Sequence, residues 1–204
     1  MSWASYGSVA AQSAGPVMVT NQLLLQSPAW QRAPVLRVVS AQVRGFTDVV
    51  GRGDLLDRLR QDFTGVGPPS SRPVLRVLTG LGGVGKTSVA RAYAQRWQQE
   101  YRLIWWVRAE DPAAVGQEFR GLLDALLPEE ASRVADPVQA VHTLLADRVG
   151  RWLLVLDNVP GPDALAGLVP ADGAGDVLVT SRASNWPDDR QAVSIPPPLP
   201  AATR

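Results

Sequence analysis

The segment Gly80-Leu81-Gly82-Gly83-Val84-Gly85-Lys86-Thr87 follows an apolar run, Val74 to Leu78, and precedes a stretch in which Val89, Tyr93 and Trp97 recur every four residues. A buried strand, a glycine-rich turn and an amphipathic helix in that order leave few folds open. The turn spells G-x-x-x-x-G-K-[ST], a phosphate-binding loop. Lys86 is the only lysine, and the other nineteen of the twenty basic residues are arginine. The chain uses a slim ammonium once, where a point charge must reach between phosphates, and a planar guanidinium everywhere else.

The rest of the chain repeats the same alternation. Leu103 to Val107, Trp152 to Leu156 and Val177 to Thr180 are apolar on both faces, and Val193 to Ile195 is a candidate last strand. Leu55, Leu56, Leu59 and Phe63 fall on one helical face ahead of the loop. Asp111-Pro112 and Asp136-Pro137 each open a helix, with the acid as cap and proline in the first turn. Buried strands alternating with helices predict an α/β, three-layer sandwich of about five parallel strands with helices on both faces. Right-handed crossovers gather the strand C-termini on one edge, where Gly80–Thr87, Asp157 and Arg182 would meet. Residues 1–44 are expected to be a weakly ordered leader, 45–198 the domain and 199–204 a tail. Within the leader, Pro34 to Val43 is a candidate strand.

Composition excludes several functions. A net charge of +1 gives no electrostatic case for nucleic acid. There is no cysteine, so disulfides and thiolate metal sites are absent, and the single histidine, His142, rules out multi-histidine metal centres. No apolar run is long enough to span a bilayer, and no basic flank precedes an apolar stretch at the start, so a secretory signal is not expected. A cytoplasmic protein is expected.

The chemistry follows from the strand ends. Glycines let successive N–H groups turn toward phosphate oxygens at a helix N-terminus. Lys86 is expected to reach the β- and γ-phosphates, and the Thr87 hydroxyl to ligate Mg²⁺. Asp157 closes an apolar strand and is expected to hold the Mg²⁺ or its water. Arg182 is placed to read a terminal phosphate. Lys86, Asp157 and Arg182 are thus the expected catalytic residues, and Thr87 and Asp157 the metal pair. Asn158 stands where a second acid would serve hydrolysis. An amide orients a water but takes no proton, so hydrolysis is expected to be slow or absent.

Taken together these stretches resemble the NB-ARC family of STAND-class P-loop NTPases. Val49-Val50-Gly51-Arg52 resembles the family's upstream motif, which contacts adenine. Gly80 to Thr87 is similar to its phosphate loop, Leu153 to Val159 to its Walker B strand, and Leu178 to Arg182 to its sensor strand. Ile104 to Val107 with Ala109-Glu110 resembles the second strand, and Ser184-Asn185-Trp186 is like bacterial members. The resemblance implies adenine nucleotide (ATP or ADP) with Mg²⁺, contacted by Val50, Gly51, Arg52, Gly80, Gly82, Gly83, Val84, Gly85, Lys86, Thr87 and Ser88. It also implies protein partners or self-assembly. Gly53 stands where the family carries Glu. The family continues into helical and winged-helix domains, so a chain ending at Arg204 is expected to be a truncated nucleotide-binding core.

The resulting expectation is a nucleotide-dependent regulatory switch. Two alternatives stay open at this level. One is a P-loop phosphotransferase acting on a small molecule, with Arg108 and Arg120 as clamps. The other is a non-catalytic interaction module on the same fold.

Overall fold

The structure is a computed structural model that describes residues 37–45, 49, 51–65, 71–129, 131–147, 149–187 and 192–196. Its elements in chain order are β1 (Val38–Val39), α1 (Gly53–Thr64), β2 (Val74–Thr79), α2 (Lys86–Arg96), β3 (Leu103–Arg108), α3 (Pro112–Leu126), α4 (Pro137–Asp147), β4 (Trp152–Val159), β5 (Gly175–Ser181) and β6 (Ala192–Ser194). The six strands form one sheet in the order β1-β3-β4-β5-β2-β6, and every pairing is parallel.

Parallel strands buried on both faces need a helical layer on each, and the core divides accordingly. On one face, Val77, Leu103, Val107, Leu154, Leu156, Val177 and Val179 pack against Val115, Phe119 and Leu122 of α3 and Val141, Leu144 and Leu145 of α4. On the other, Leu78, Ile104, Trp106, Leu153, Val155 and Leu178 meet Leu56, Leu59 and Phe63 of α1 and Val89, Ala90 and Tyr93 of α2. The predicted three-layer sandwich is therefore the fold.

Local signals set the helix starts. The Asp111 carboxylate accepts from the Ala113 N–H at 2.9 Å, with Pro112 in the first turn of α3. Asp136 accepts from the N–H groups of Val138 and Gln139, each at 3.1 Å. Both cap donors that would otherwise have no partner.

The sheet has six strands where about five were expected, because β1 adds a two-residue edge. It lies in the segment assigned to the leader, within the candidate strand Pro34 to Val43. Its register is Val38 with Leu103 and Val39 with Ile104. Beyond it the Ser40 hydroxyl accepts from the Trp106 N–H at 2.9 Å, extending the edge. Residues 1–36 and the tail lie outside the described residues. Among the described residues no helix is long and apolar enough to cross a membrane.

Candidate functional site

The C-terminal edge of the sheet opens into a cleft of about 420 Å³. The cleft is lined by Gly82, Gly83, Gly85, Lys86, Thr87 and Ser88 of the loop and the start of α2, and by Arg108, Glu110, Asp157, Asn158, Thr180 and Arg182 from the ends of the other strands. The loop is glycine-rich for a conformational reason. Gly83 has φ +77° and Gly85 has φ +94°, left-handed values that a side chain resists, and no neighbouring atom fills the space a Cβ would take at either. This backbone delivers the chain into α2, whose first residue is Lys86.

Lys86 is buried, and its ammonium donates to the carbonyls of Gly80 and Leu81, each at 2.8 Å. Burial, then the nearby Arg182 guanidinium, pushes its pKa below the usual lysine range, while the Asp157 carboxylate opposes them. Two cations thus share a small space with one acid between them. An anion entering the cleft relieves that repulsion. Arg182 itself is exposed, and among the described residues no hydrogen bond or ion pair holds its guanidinium.

Asp157 is positioned by a break in the β4–β5 ladder. Leu156 pairs with Val179 and Val159 with Ser181, so Asp157 and Asn158 together oppose Thr180 alone. This is a β-bulge, which bends a strand and re-aims a side chain. Within the bulge Asn158 has φ 62°, in the left-handed region where asparagine is enriched. The strand therefore continues past Asp157, where the sequence had predicted its end. The Thr180 hydroxyl donates to Asp157 Oδ1 at 2.6 Å and accepts from the Asn158 N–H at 2.9 Å. The Thr87 hydroxyl donates to the same Oδ1 at 2.9 Å.

Thr87 and Asp157 thus bring a hydroxyl and a carboxylate oxygen to one point, a hard-oxygen pair that suits Mg²⁺. Beside them stand a glycine loop at a helix N-terminus and a buried ammonium, the donor set that suits a polyphosphate. The residues fit both groups.

Of the residues expected to bind nucleotide, the structure brings Gly82, Gly83, Gly85, Lys86, Thr87, Ser88, Asp157 and Arg182 around this cleft. Gly80 and Val84 are not among the cleft residues, and the Val84 side chain lies against Gly80. Gly51 and Arg52 are not among the cleft residues. The Arg52 guanidinium is taken up by two main-chain carbonyls, Val84 at 3.4 Å and Pro196 at 3.0 Å. Val50 lies outside the described residues. Arg120, a candidate clamp, is used elsewhere, donating to the carbonyls of Ala131 at 2.7 Å and Val134 at 2.9 Å. Arg108 does line the cleft, but its Nε pairs with Glu118 at 2.7 Å. Sequence reasoning gave no role to Thr180, which looked like the end of an apolar strand, and saw Glu110 only as part of a resemblance.

A parallel sheet between two helical layers, whose edge joins a glycine loop, a lysine at the helix start, a hydroxyl and an acid on a bulged strand, defines a P-loop nucleotide-binding domain. Within that class, the family model for the AAA ATPase domain matches residues 48–191, and the chain belongs to that family. No curated protein matches the sequence. Among solved structures, Cdc6p from Pyrobaculum aerophilum is similar at 16% identity and a TM-score of 0.50, covering 78% of this chain and 49% of its own. The Drosophila ORC bound to DNA is similar at 18% identity and a TM-score of 0.49, covering 72% of this chain and 43% of its own. The chain spans less than half the length of these two structures. The likeness to Cdc6p is one of fold.

Proposed function

We propose that this AAA ATPase-type domain binds ADP and ATP with Mg²⁺ in the cleft and serves as a nucleotide-dependent regulatory switch. The observation that carries this reading is the meeting of Thr87 and Asp157 directly beside Lys86 and the glycine loop. The loop amides and Lys86 would hold the phosphates. On binding, the ammonium would exchange the Gly80 and Leu81 carbonyls for phosphate oxygens. Thr87 and Asp157 would hold Mg²⁺, which when bound neutralises charge on the phosphates. Arg182, which lines the cleft and has no hydrogen bond or ion pair among the described residues, would distinguish ATP from ADP by the terminal phosphate. A switch requires that the two nucleotides favour different states.

The narrower placement in the NB-ARC type of STAND NTPase is supported by the Val49 to Arg52 motif, by the Leu153 to Val159 strand and by the sensor-like Arg182. Protein partners or self-assembly, and a cytoplasmic location, belong to the same proposal. DNA is bound in the Drosophila ORC structure; for this chain, with a net charge of +1, adenine nucleotide is the ligand proposed. The phosphotransferase reading loses support because Arg120 is committed to main-chain carbonyls and Arg108 to Glu118.

The test is calorimetric titration of ADP and ATP with Mg²⁺ into the native chain and Lys86→Ala. Losing a charged donor to phosphate costs about 3 kcal/mol, a hundredfold in Kd. Equal affinity of the two proteins overturns the reading, and absence of binding to a folded native chain points to an interaction module instead.

A further inference from the structure

We infer that Glu110 is the general base of this cleft, the group that holds and deprotonates the water attacking the terminal phosphate of bound ATP. The inference rests on the nucleotide reading above and adds to it a hydrolytic activity with its own residue.

Asn158, beside the metal acid, carries an amide that has no basic lone pair for a proton. Asp157 already receives two hydroxyl donors on one oxygen, Thr87 at 2.9 Å and Thr180 at 2.6 Å, and its place beside Thr87 fits it to the metal. Lys86, Arg108 and Arg182 are cations. Among the described cleft residues this leaves one further carboxylate, Glu110.

Strand register explains why it stands there. Arg108 pairs with Asp157 across β3 and β4, and the parallel ladder runs one step further, with the Ala109 N–H donating to the Asp157 carbonyl at 2.8 Å. Glu110 is the next residue. It leaves the sheet beside the Asp157–Asn158 bulge, on the strand adjacent to the metal acid. It is exposed, and among the described residues no hydrogen bond or ion pair engages its carboxylate. Arg108, the nearest cation in sequence, is held by Glu118 at 2.7 Å and does not neutralise it. A free carboxylate facing a phosphate site has no structural reason to be there, since repulsion from the phosphates opposes binding. Holding a water is a use that offsets this cost.

The step balances with water as the only co-reactant. The water oxygen bonds to the γ-phosphorus while the bond from that phosphorus to the β,γ-bridging oxygen breaks. One proton of the water passes to Glu110, and ADP and inorganic phosphate depart. Glu110 then returns the proton to solvent.

The experiment compares the full chain with Glu110→Gln, measuring ATP affinity by calorimetry and phosphate release in a single turnover with Mg²⁺. Loss of a positioned base costs about a hundredfold or more in rate. The expected result is therefore an affinity within about threefold of native, an unchanged melting temperature and that loss of phosphate release, a split between binding and chemistry that a structural role would not produce. Three results overturn the inference: native-like release by the variant, loss of ATP binding in the variant, or a native chain that binds ATP and releases no phosphate. The last leaves nucleotide binding intact. A native chain that binds neither nucleotide removes the reading on which the base assignment rests.

Discussion

The Thr180 hydroxyl donates to Asp157 Oδ1 at 2.6 Å while accepting the Asn158 N–H at 2.9 Å, so one buried side chain fixes both the acid and the backbone of the bulge that presents it. The bulge leaves Asp157 without a register partner on β5. The Thr180 side chain of that strand orients the carboxylate instead. The Thr180 and Thr87 hydroxyls converge on a single oxygen, which leaves Asp157 Oδ2 without a side-chain donor among the described residues.

Thr180→Val removes both bonds at nearly constant volume. The Asn158 N–H loses its partner, so stability is expected to fall by about 1–2 kcal/mol. The more specific effect is on the metal. Loss of a group that orients a ligand typically costs tenfold or more in metal-dependent affinity. The increase in nucleotide affinity produced by Mg²⁺ should therefore shrink about tenfold, while affinity in chelator stays native. Thr180→Ser restores the hydroxyl and should recover the Mg²⁺ effect. Paired titrations with Mg²⁺ and with chelator measure it.

Two glycines should respond to alanine with opposite signs. Gly175 pairs with Trp152 across the β4–β5 ladder, and a methyl group there would run into the indole. That ring cannot withdraw, because Trp152 is fully buried and its Nε1–H donates to the Leu145 carbonyl at 2.9 Å. Gly175→Ala is expected to cost about 3 kcal/mol through overpacking. Gly116 lies inside α3 with open space where its Cβ would be. Gly116→Ala should gain about 0.5–1 kcal/mol from helix propensity alone. Denaturant midpoints of the two variants should move in opposite directions.

What the sequence made legible was local chemistry at strand ends. Lys86, Thr87, Asp157 and Arg182 stand out because polar residues close apolar runs, and a parallel sheet gathers those ends on one edge. What it hid depends on register. Thr180 reads as part of VLVT, and only the bulge at Asp157–Asn158 turns it into a partner for the acid. Glu110 acquires meaning once β3 is known to lie beside β4. The order β1-β3-β4-β5-β2-β6 places β2 between β5 and β6, a pairing no local pattern encodes. Arg52 carried a motif, yet its guanidinium is spent on the carbonyls of Val84 and Pro196, residues 32 and 144 positions away.

His142 supplies an isolated test of pH dependence, because it is the only histidine. Its ring packs edge-on against Phe119 with centroids 6.0 Å apart, and Nε2 lies 3.2 Å from the Leu168 carbonyl. Burial pushes its pKa below the ordinary value near 6.5, against the opposing pull of that carbonyl bond and of Asp136. A depressed pKa means that the unfolded chain takes the proton first. The stabilising contribution is complete above pH 6.5 and is lost as pH falls from there through the folded-state value. As pH falls below 6.5, native stability should therefore drop by more than that of His142→Gln. Urea unfolding of both proteins across this range measures the difference, and parallel curves would assign the pH dependence to carboxylates.

At the opposite end of the sheet, β5 begins with a buried acid. Asp176 Oδ2 accepts from the Tyr101 hydroxyl at 2.6 Å and from Arg151 at 2.8 Å, and the Tyr93 hydroxyl lies 3.1 Å from that of Tyr101. Desolvation raises the Asp176 pKa, with the Tyr101 bond and then Arg151 pulling it back. The cluster ties three distant parts of the chain to the N-terminal edge of the sheet, yet a buried ion pair is weak evidence for stability in itself. The informative comparison is between removing one partner and keeping the shape. Asp176→Ala removes the carboxylate acceptor of the Tyr101 hydroxyl, leaving it only the Tyr93 hydroxyl oxygen, and leaves Arg151 without a counter-charge. Arg151 is partly exposed and regains water, so the expected loss is at the lower end for a broken buried pair, about 2–3 kcal/mol. Asp176→Asn keeps an acceptor for Tyr101 and loses only the charge, so it should cost less than half as much. Nucleotide affinity should be unchanged in both, since Asp176 starts the strand whose far end carries Arg182. Equal destabilisation by the two substitutions would mean that the charge, rather than the hydrogen-bond acceptor, holds this end of the sheet together.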